Sequence, residues 1–214
     1  MRILIGQPIH EITTKQLQKE IMNNPNIDIV IYPEGYLSDE MALLAACKIA
    51  KKYSKTIITE YRSNNKDRAL IINSLGEKIL DRAKTPEDEG LYSPSVVENC
   101  GLRIGYLLCR EIVKGLEGLK CTGGRFNFIA HPIGVGMFSE VQFEEWISIA
   151  KSIAIKYKTT IIGTSHADGS YRNCGISIPI AYCIDAIGEI VFISKADKRT
   201  RIINLITKEV EIIK

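Results

Sequence analysis

The feature that most limits how this chain can fold is a series of short, isoleucine-rich apolar runs without polar–apolar alternation. Ile3-Leu4-Ile5, Ile29-Val30-Ile31, Ile57-Ile58 and Leu70-Ile71-Ile72 are examples. Continuous β-branched runs mark strands covered on at least one face and partly buried on the other. On this reading strands are predicted at 2–6, 27–32, 56–61, 68–74, 102–108, 126–131, 159–163, 175–184 and 189–194. Helices are predicted between them. The clearest spans 140–157, where Phe143, Trp146, Ile147, Ala150, Ile153, Ala154 and Tyr157 form one apolar stripe. A second follows Ser38, read as its N-cap, and is expected to bury Leu43, Leu44, Cys47 and Ala50. Two more are expected at 12–22 and 111–120. Asn73-Ser74-Leu75-Gly76 reads as a turn between neighbouring strands, so a mixed sheet with helices outside it, an α/β sandwich, is expected. No repeat or linker divides the sequence, and residues 1–214 are read as one domain.

Composition narrows the function classes. Lys and Arg number 28 against 25 Asp and Glu, a net charge of +3, too small for the dense basic face that nucleic acid requires. No apolar run approaches the roughly 18 residues of a membrane helix. Met1 to Gly6 reads as a strand rather than a signal peptide, so a cytoplasmic protein is expected. In that compartment the six cysteines are expected to be thiols. They form no Cys-x-x-Cys pair and none has a histidine at zinc-finger spacing, so a structural zinc is not expected.

Three segments place an ionisable residue at the end of an apolar strand, where sites in α/β sheets lie. Glu34 ends Ile29-Val30-Ile31-Tyr32-Pro33-Glu34, and partial desolvation there suits a carboxylate to proton transfer. Lys84 sits in the charged run 81–90. Cys109 follows the strand at 102–108 and precedes a predicted helix, where the helix N-terminus and a nearby ammonium would favour the thiolate.

Together these segments resemble the nitrilase, or carbon–nitrogen hydrolase, superfamily. The resemblance rests on Tyr32-Pro33-Glu34, on Lys84 eight residues after Gly76 with Arg82 two before it, and on Glu89-Gly90-Leu91-Tyr92. It continues through Gly105-x-x-x-Cys109, Asn127 to Pro132, and Trp146 with its helix, and so spans essentially the whole chain. It implies an α-β-β-α sandwich whose mixed sheets are covered by outer helices, assembled as a homodimer or larger homo-oligomer. It also implies hydrolysis of a non-peptide C–N bond in a small amide or carbamoyl compound through a cysteine thioester, with amide favoured over nitrile and no metal or organic cofactor. Within it Cys109 is the nucleophile, Glu34 the base, Lys84 the oxyanion cation and Glu89 the second acid that orients Lys84. The Arg110 N–H is a further oxyanion donor. Arg110, Arg125, His131, Phe138 and the 164–173 loop are candidate substrate-binding walls, and an inward arginine would favour an acidic substrate.

Other readings remain open on the residues alone. Cys109 could pair with His131 or His166 in a Cys–His hydrolase. Gly134-Val135-Gly136 is a partial dinucleotide-binding pattern, more simply a turn. A small-molecule-binding or scaffold protein could also use the same fold without turnover.

Overall fold

The computed structural model describes residues 1–120, 124–169, 175 and 177–213. Cys121, Thr122, Gly123 and Cys174, residues 170–173 of the expected pocket loop, and Ile176 of the expected strand 175–184 lie outside them. In chain order the elements are β1 (Arg2–Ile5), α1 (Lys15–Asn23), β2 (Ile29–Ile31), α2 (Glu40–Tyr53), β3 (Thr56–Ser63), β4 (Lys66–Ile72) and β5 (Lys78–Ala83). They continue with β6 (Val96–Asn99), β7 (Leu102–Tyr106), a 3₁₀ turn (Cys109–Lys114), α3 (Gly115–Gly118), β8 (Phe128–Pro132) and α4 (Glu140–Tyr157). The last are β9 (Thr160–Thr164), β10 (Ile180–Ile184), β11 (Ile190–Lys195), β12 (Arg201–Asn204) and β13 (Val210–Ile212).

One sheet has the order β13-β12-β1-β2-β3-β4-β5, the other β11-β10-β9-β8-β7-β6. Both are mixed: β1-β2-β3 and β7-β8-β9 pair in parallel, and the outer strands pair antiparallel. The side-chain period of two explains the continuous isoleucine runs. Ile3, Ile5, Ile29, Ile31, Ile58 and Ile71 meet Ile104, Phe128, Ala130 and Ile162 of the other sheet in a central core. Their neighbours Leu4, Val30, Ile57 and Leu70 point the opposite way and pack on α1 and α2. On the far side Ile129, Ile161 and Tyr182 pack against Trp146, Ile147, Ala150 and Ile153 of α4. The architecture is therefore an α-β-β-α sandwich in which both faces of each sheet are covered. Among the described residues no helix is long and apolar enough to cross a membrane. The described cysteines 47, 100, 109 and 183 are free thiols.

Several local expectations are corrected. The N-cap of α2 is Asp39, whose Oδ1 accepts from the Ala42 N–H at 2.8 Å, rather than Ser38. Leu44 is 54% exposed, because it lies off the stripe formed by Leu43, Ala46, Ile49 and Ala50. The expected helix 111–120 is a 3₁₀ turn followed by one short α turn. Strand β10 begins at Ile180, not 175: Ile178 makes only a bridge to Met137, and Pro179 has no N–H to extend a ladder.

Candidate active site

Glu34, Lys84, Cys109 and Val135 follow β2, β5, β7 and β8 respectively, at the same end of the two packed sheets. They line one cavity of about 250 Å³, together with Arg110, Gly136, Phe138, Gln142 and Trp146. Strand ends bring them there because strand direction, and not sequence distance, sets where a loop emerges.

Glu34 is 1% exposed. Its loop is fixed on both sides. The Thr59 hydroxyl donates to the Pro33 carbonyl at 2.9 Å, and the Gly35 N–H donates to Glu60 Oε2 at 2.5 Å. Gly35 has φ of 84°, in the left-handed region that glycine adopts without strain. Lys84 Nζ donates to Glu34 Oε1 at 2.6 Å, and the Cys109 side chain lies beside the same carboxyl group, close enough for each to shift the other's pKa. Burial raises the Glu34 pKa above its ordinary value, although the Lys84 charge and the bonds from Lys84 and Cys109 pull it down. Burial alone would lower the Lys84 pKa, but the facing Glu34 and Cys109 outweigh it, so Lys84 is held as an ammonium.

Cys109 has φ of 50°, an uncommon conformation for a residue with a β-carbon. Its neighbours hold it there. The Leu108 N–H donates to Glu111 Oε2 at 2.8 Å, and His131 Nε2 lies 2.8 Å from the Cys109 carbonyl oxygen. Burial and the Glu34 charge push the thiol up to about 12, against Lys84 and the Gly134 N–H. Lys84 thus favours the thiolate, as the sequence reading has it, but burial and Glu34 outweigh it. At neutral pH the sulfur keeps its proton, and the neighbouring Glu34 carboxylate is the group placed to take it.

No family model matches the sequence, and no curated protein matches it. Solved structures do. A carbon–nitrogen hydrolase from Helicobacter pylori G27 superposes with a TM-score of 0.70 at 15% identity, covering 97% of this chain and 90% of that one. A CN-hydrolase superfamily protein from Xanthomonas campestris, with an arsenic adduct in its active site, gives 0.73 at 13% identity, covering 94% and 89%. A doubly substituted amidase from Nesterenkonia sp. AN1, in complex with acrylamide, gives 0.74 at 12% identity, covering 94% and 89%. The fold is that of the carbon–nitrogen hydrolases.

Within this carbon–nitrogen hydrolase fold the residues singled out from sequence separate into two groups. Glu34, Lys84, Cys109, Arg110 and Phe138 share the cavity. Glu89 does not: it is exposed, and its Oε2 accepts from the Tyr92 hydroxyl at 2.7 Å. The Lys114 ammonium binds the Glu87 and Glu89 carbonyl oxygens, and neither acid lines the cavity. The carboxylate on Lys84 is instead Glu34.

His131 is a further correction. It is fully buried behind Cys109 and not on the cavity wall, with Nδ1 2.6 Å from the Tyr182 hydroxyl and Nε2 on the Cys109 carbonyl. Burial holds its pKa down to about 4. Its ring nitrogens are thus bonded to groups other than the sulfur, which removes the basis for a His131–Cys109 pair. His166 Nε2 lies 2.8 Å from the Glu34 carbonyl oxygen, so it also meets backbone rather than the thiol. Arg125 is exposed and outside the cavity lining.

Two buried acids were not among the site residues expected from the sequence. Glu60 is fully buried and accepts from the Gly35 and Arg68 N–H groups. Burial, then Glu34 and Asp67, push it up to about 8. Glu111 receives Arg82 at both oxygens. The signal for Glu60 was its place in a buried strand, Ile57-Ile58-Thr59-Glu60-Tyr61, where an acid has no solvent to face.

Proposed function

We propose that this protein hydrolyses a non-peptide C–N bond in a small amide or carbamoyl compound through a thioester on Cys109. The observation that carries this reading is one buried carboxyl group, Glu34, bonded to the Lys84 ammonium and set beside the Cys109 thiol on the wall of the same cavity. A thiol nucleophile splits the hydrolysis of a resistant amide into two easier steps. Cys109 Sγ attacks the carbonyl carbon as Glu34 takes the thiol proton. The negative charge gathers on the carbonyl oxygen, where the Lys84 ammonium and the Arg110 N–H are the donors in this reading. Removing one such donor costs about 2.7–4 kcal/mol in enzymes where this has been measured. Glu34 then passes its proton to the nitrogen, the C–N bond breaks, and ammonia or an amine leaves. Water attacks the thioester carbon while Glu34 takes a proton from it. The C–S bond breaks, the acid leaves and the proton returns to the sulfur.

The solved relatives support the chemical class. One Nesterenkonia amidase structure carries the acetamide moiety of fluoroacetamide on its active-site cysteine, and another holds acrylamide. Amide is the preferred reading over nitrile, as in the sequence analysis. Assembly into a homodimer or larger set of copies belongs to the same reading, and sedimentation velocity checks it.

The test is ammonia release from a panel of small amides by wild type, Cys109→Ala and Glu34→Gln, with intact-mass detection of an acyl adduct. The expected result is turnover in wild type alone, with no adduct on Cys109→Ala. Turnover retained by Cys109→Ala overturns the reading.

A further inference from the structure

The hydrolysis of a plain amide uses the backbone N–H of Arg110 and leaves its side chain without a part. Arg110 follows the nucleophile directly and lines the same cavity, yet its side chain is 61% exposed, so it stands at the rim. Its Nε lies 3.0 Å from Glu87 Oε1, an ion pair at the surface. Glu87 itself belongs to the loop that Lys114 clamps through the Glu87 and Glu89 carbonyl oxygens. The guanidinium is therefore oriented on one side. Among the described residues its NH1 and NH2 groups carry no partner, and they form the parallel pair of donors that matches a carboxylate bidentately. Val135, Phe138 and Trp146 give the cavity apolar lining, with Gln142 as a further polar residue. The cavity thus combines an exposed planar cation, apolar side chains and the buried Cys109–Glu34–Lys84 group.

We propose that the substrate is a short amide bearing a carboxylate at the far end of its acyl chain, with Arg110 as the carboxylate receptor. This rests on the hydrolase reading above. One guanidinium, already paired with Glu87, matches a singly charged planar group better than a phosphate, and the second cation, Lys84, is committed to Glu34. A volume of about 250 Å³, just below the roughly 300–1,000 Å³ of pockets for drug-sized ligands, suits a chain of a few carbons.

The experiment compares ammonia release from matched pairs, succinamate with butyramide and glutaramate with valeramide, in wild type, Arg110→Lys and Arg110→Gln. The expected result is a kcat/KM ratio favouring the carboxylate member at least tenfold in wild type. Most of that preference is lost in Arg110→Gln through KM, and Arg110→Lys falls between, because it keeps the charge without the fork. Ammonia from both members at a ratio that Arg110→Gln leaves unmoved overturns the receptor role and leaves the hydrolase reading standing. No ammonia from either member, nor from the wider amide panel, overturns the hydrolase reading and the receptor role with it.

Discussion

Arg82 and Glu111 form a two-pronged ion pair inside the protein, with NH1 to Oε1 and NH2 to Oε2 both at 2.7 Å and the side chains 4% and 1% exposed. Glu111 also accepts from the Thr85 N–H at 2.7 Å and from the Leu108 N–H at 2.8 Å. The pair therefore joins the segment that carries Lys84 to the segment that carries Cys109, and so sets the distance between ammonium and sulfur.

Glu111→Gln leaves the Arg82 guanidinium buried without its counter-charge. Loss of one member of a buried pair costs about 3–5 kcal/mol. Urea unfolding should show a loss of that order, and activity should fall with it because two loops lose their common anchor. A loss below about 1 kcal/mol would contradict the anchoring role.

A fully buried Glu60 makes stability fall with rising pH. Burial raises its pKa from 4.5 to about 8 in the folded state, so between those values the folded protein holds a proton that the unfolded chain has released. The stabilisation is complete below about 4.5 and is lost as pH rises through about 8. The groups that act on it are Glu34, Asp67 on β4 and the N–H groups of Gly35 and Arg68, while Tyr106 on β7 feels its charge in turn. The expected slope in unfolding free energy approaches about 1.4 kcal/mol per pH unit for one proton. Glu60→Gln should flatten it, and denaturant titrations at several pH values between 5 and 9 give the comparison. An unchanged slope in the variant would assign the proton elsewhere.

How much of this was legible in the sequence depended on what each residue type reveals by itself. The isoleucine runs gave the inner strands because burial on both faces leaves no polar position to interrupt them. Strands β5, β6, β12 and β13 were missed because they lie toward the sheet edges and carry Lys78, Asp81, Arg82, Glu98, Arg201 and Glu211. Arg82 in particular reads as a surface charge until Glu111 is brought to it from 29 residues away. Glu34, Lys84 and Cys109 were legible through their order and setting. The misplacement of Glu89 has the opposite cause: in the run Glu87-Asp88-Glu89 nothing local distinguishes an acid that turns inward from one tied outward by Tyr92 and Lys114.

His131 should act on the nucleophile through its backbone and not as a base. His131→Phe leaves the Cys109 carbonyl and the Tyr182 hydroxyl buried without this partner, at a cost of about 1–3 kcal/mol for each unsatisfied group. The expected result is a less stable protein with reduced kcat whose residual pH–rate profile keeps the wild-type shape, since Glu34 still takes the proton. Loss of an ionisation from that profile in His131→Phe would restore the Cys–His reading.

Gly136 permits the cavity wall, which gives the partial glycine pattern at 134–136 a structural use. A Cβ at Gly136 would lie 1.6 Å from the Ile178 carbonyl oxygen. That oxygen accepts from the Met137 N–H at 2.9 Å, and the Ile178 N–H returns a bond to the Met137 carbonyl at 2.9 Å. Because the clash is with backbone, no side-chain rotation relieves it, and Gly136→Ala must part this bridge. Val135 and Phe138 flank the bridge on the cavity side, so both should shift with it. The expected outcome is a KM for small amides raised about tenfold or more with a smaller change in kcat, because Cys109, Glu34 and Lys84 stand on other loops. A variant with wild-type KM would show that the wall near Gly136 does not contact the substrate.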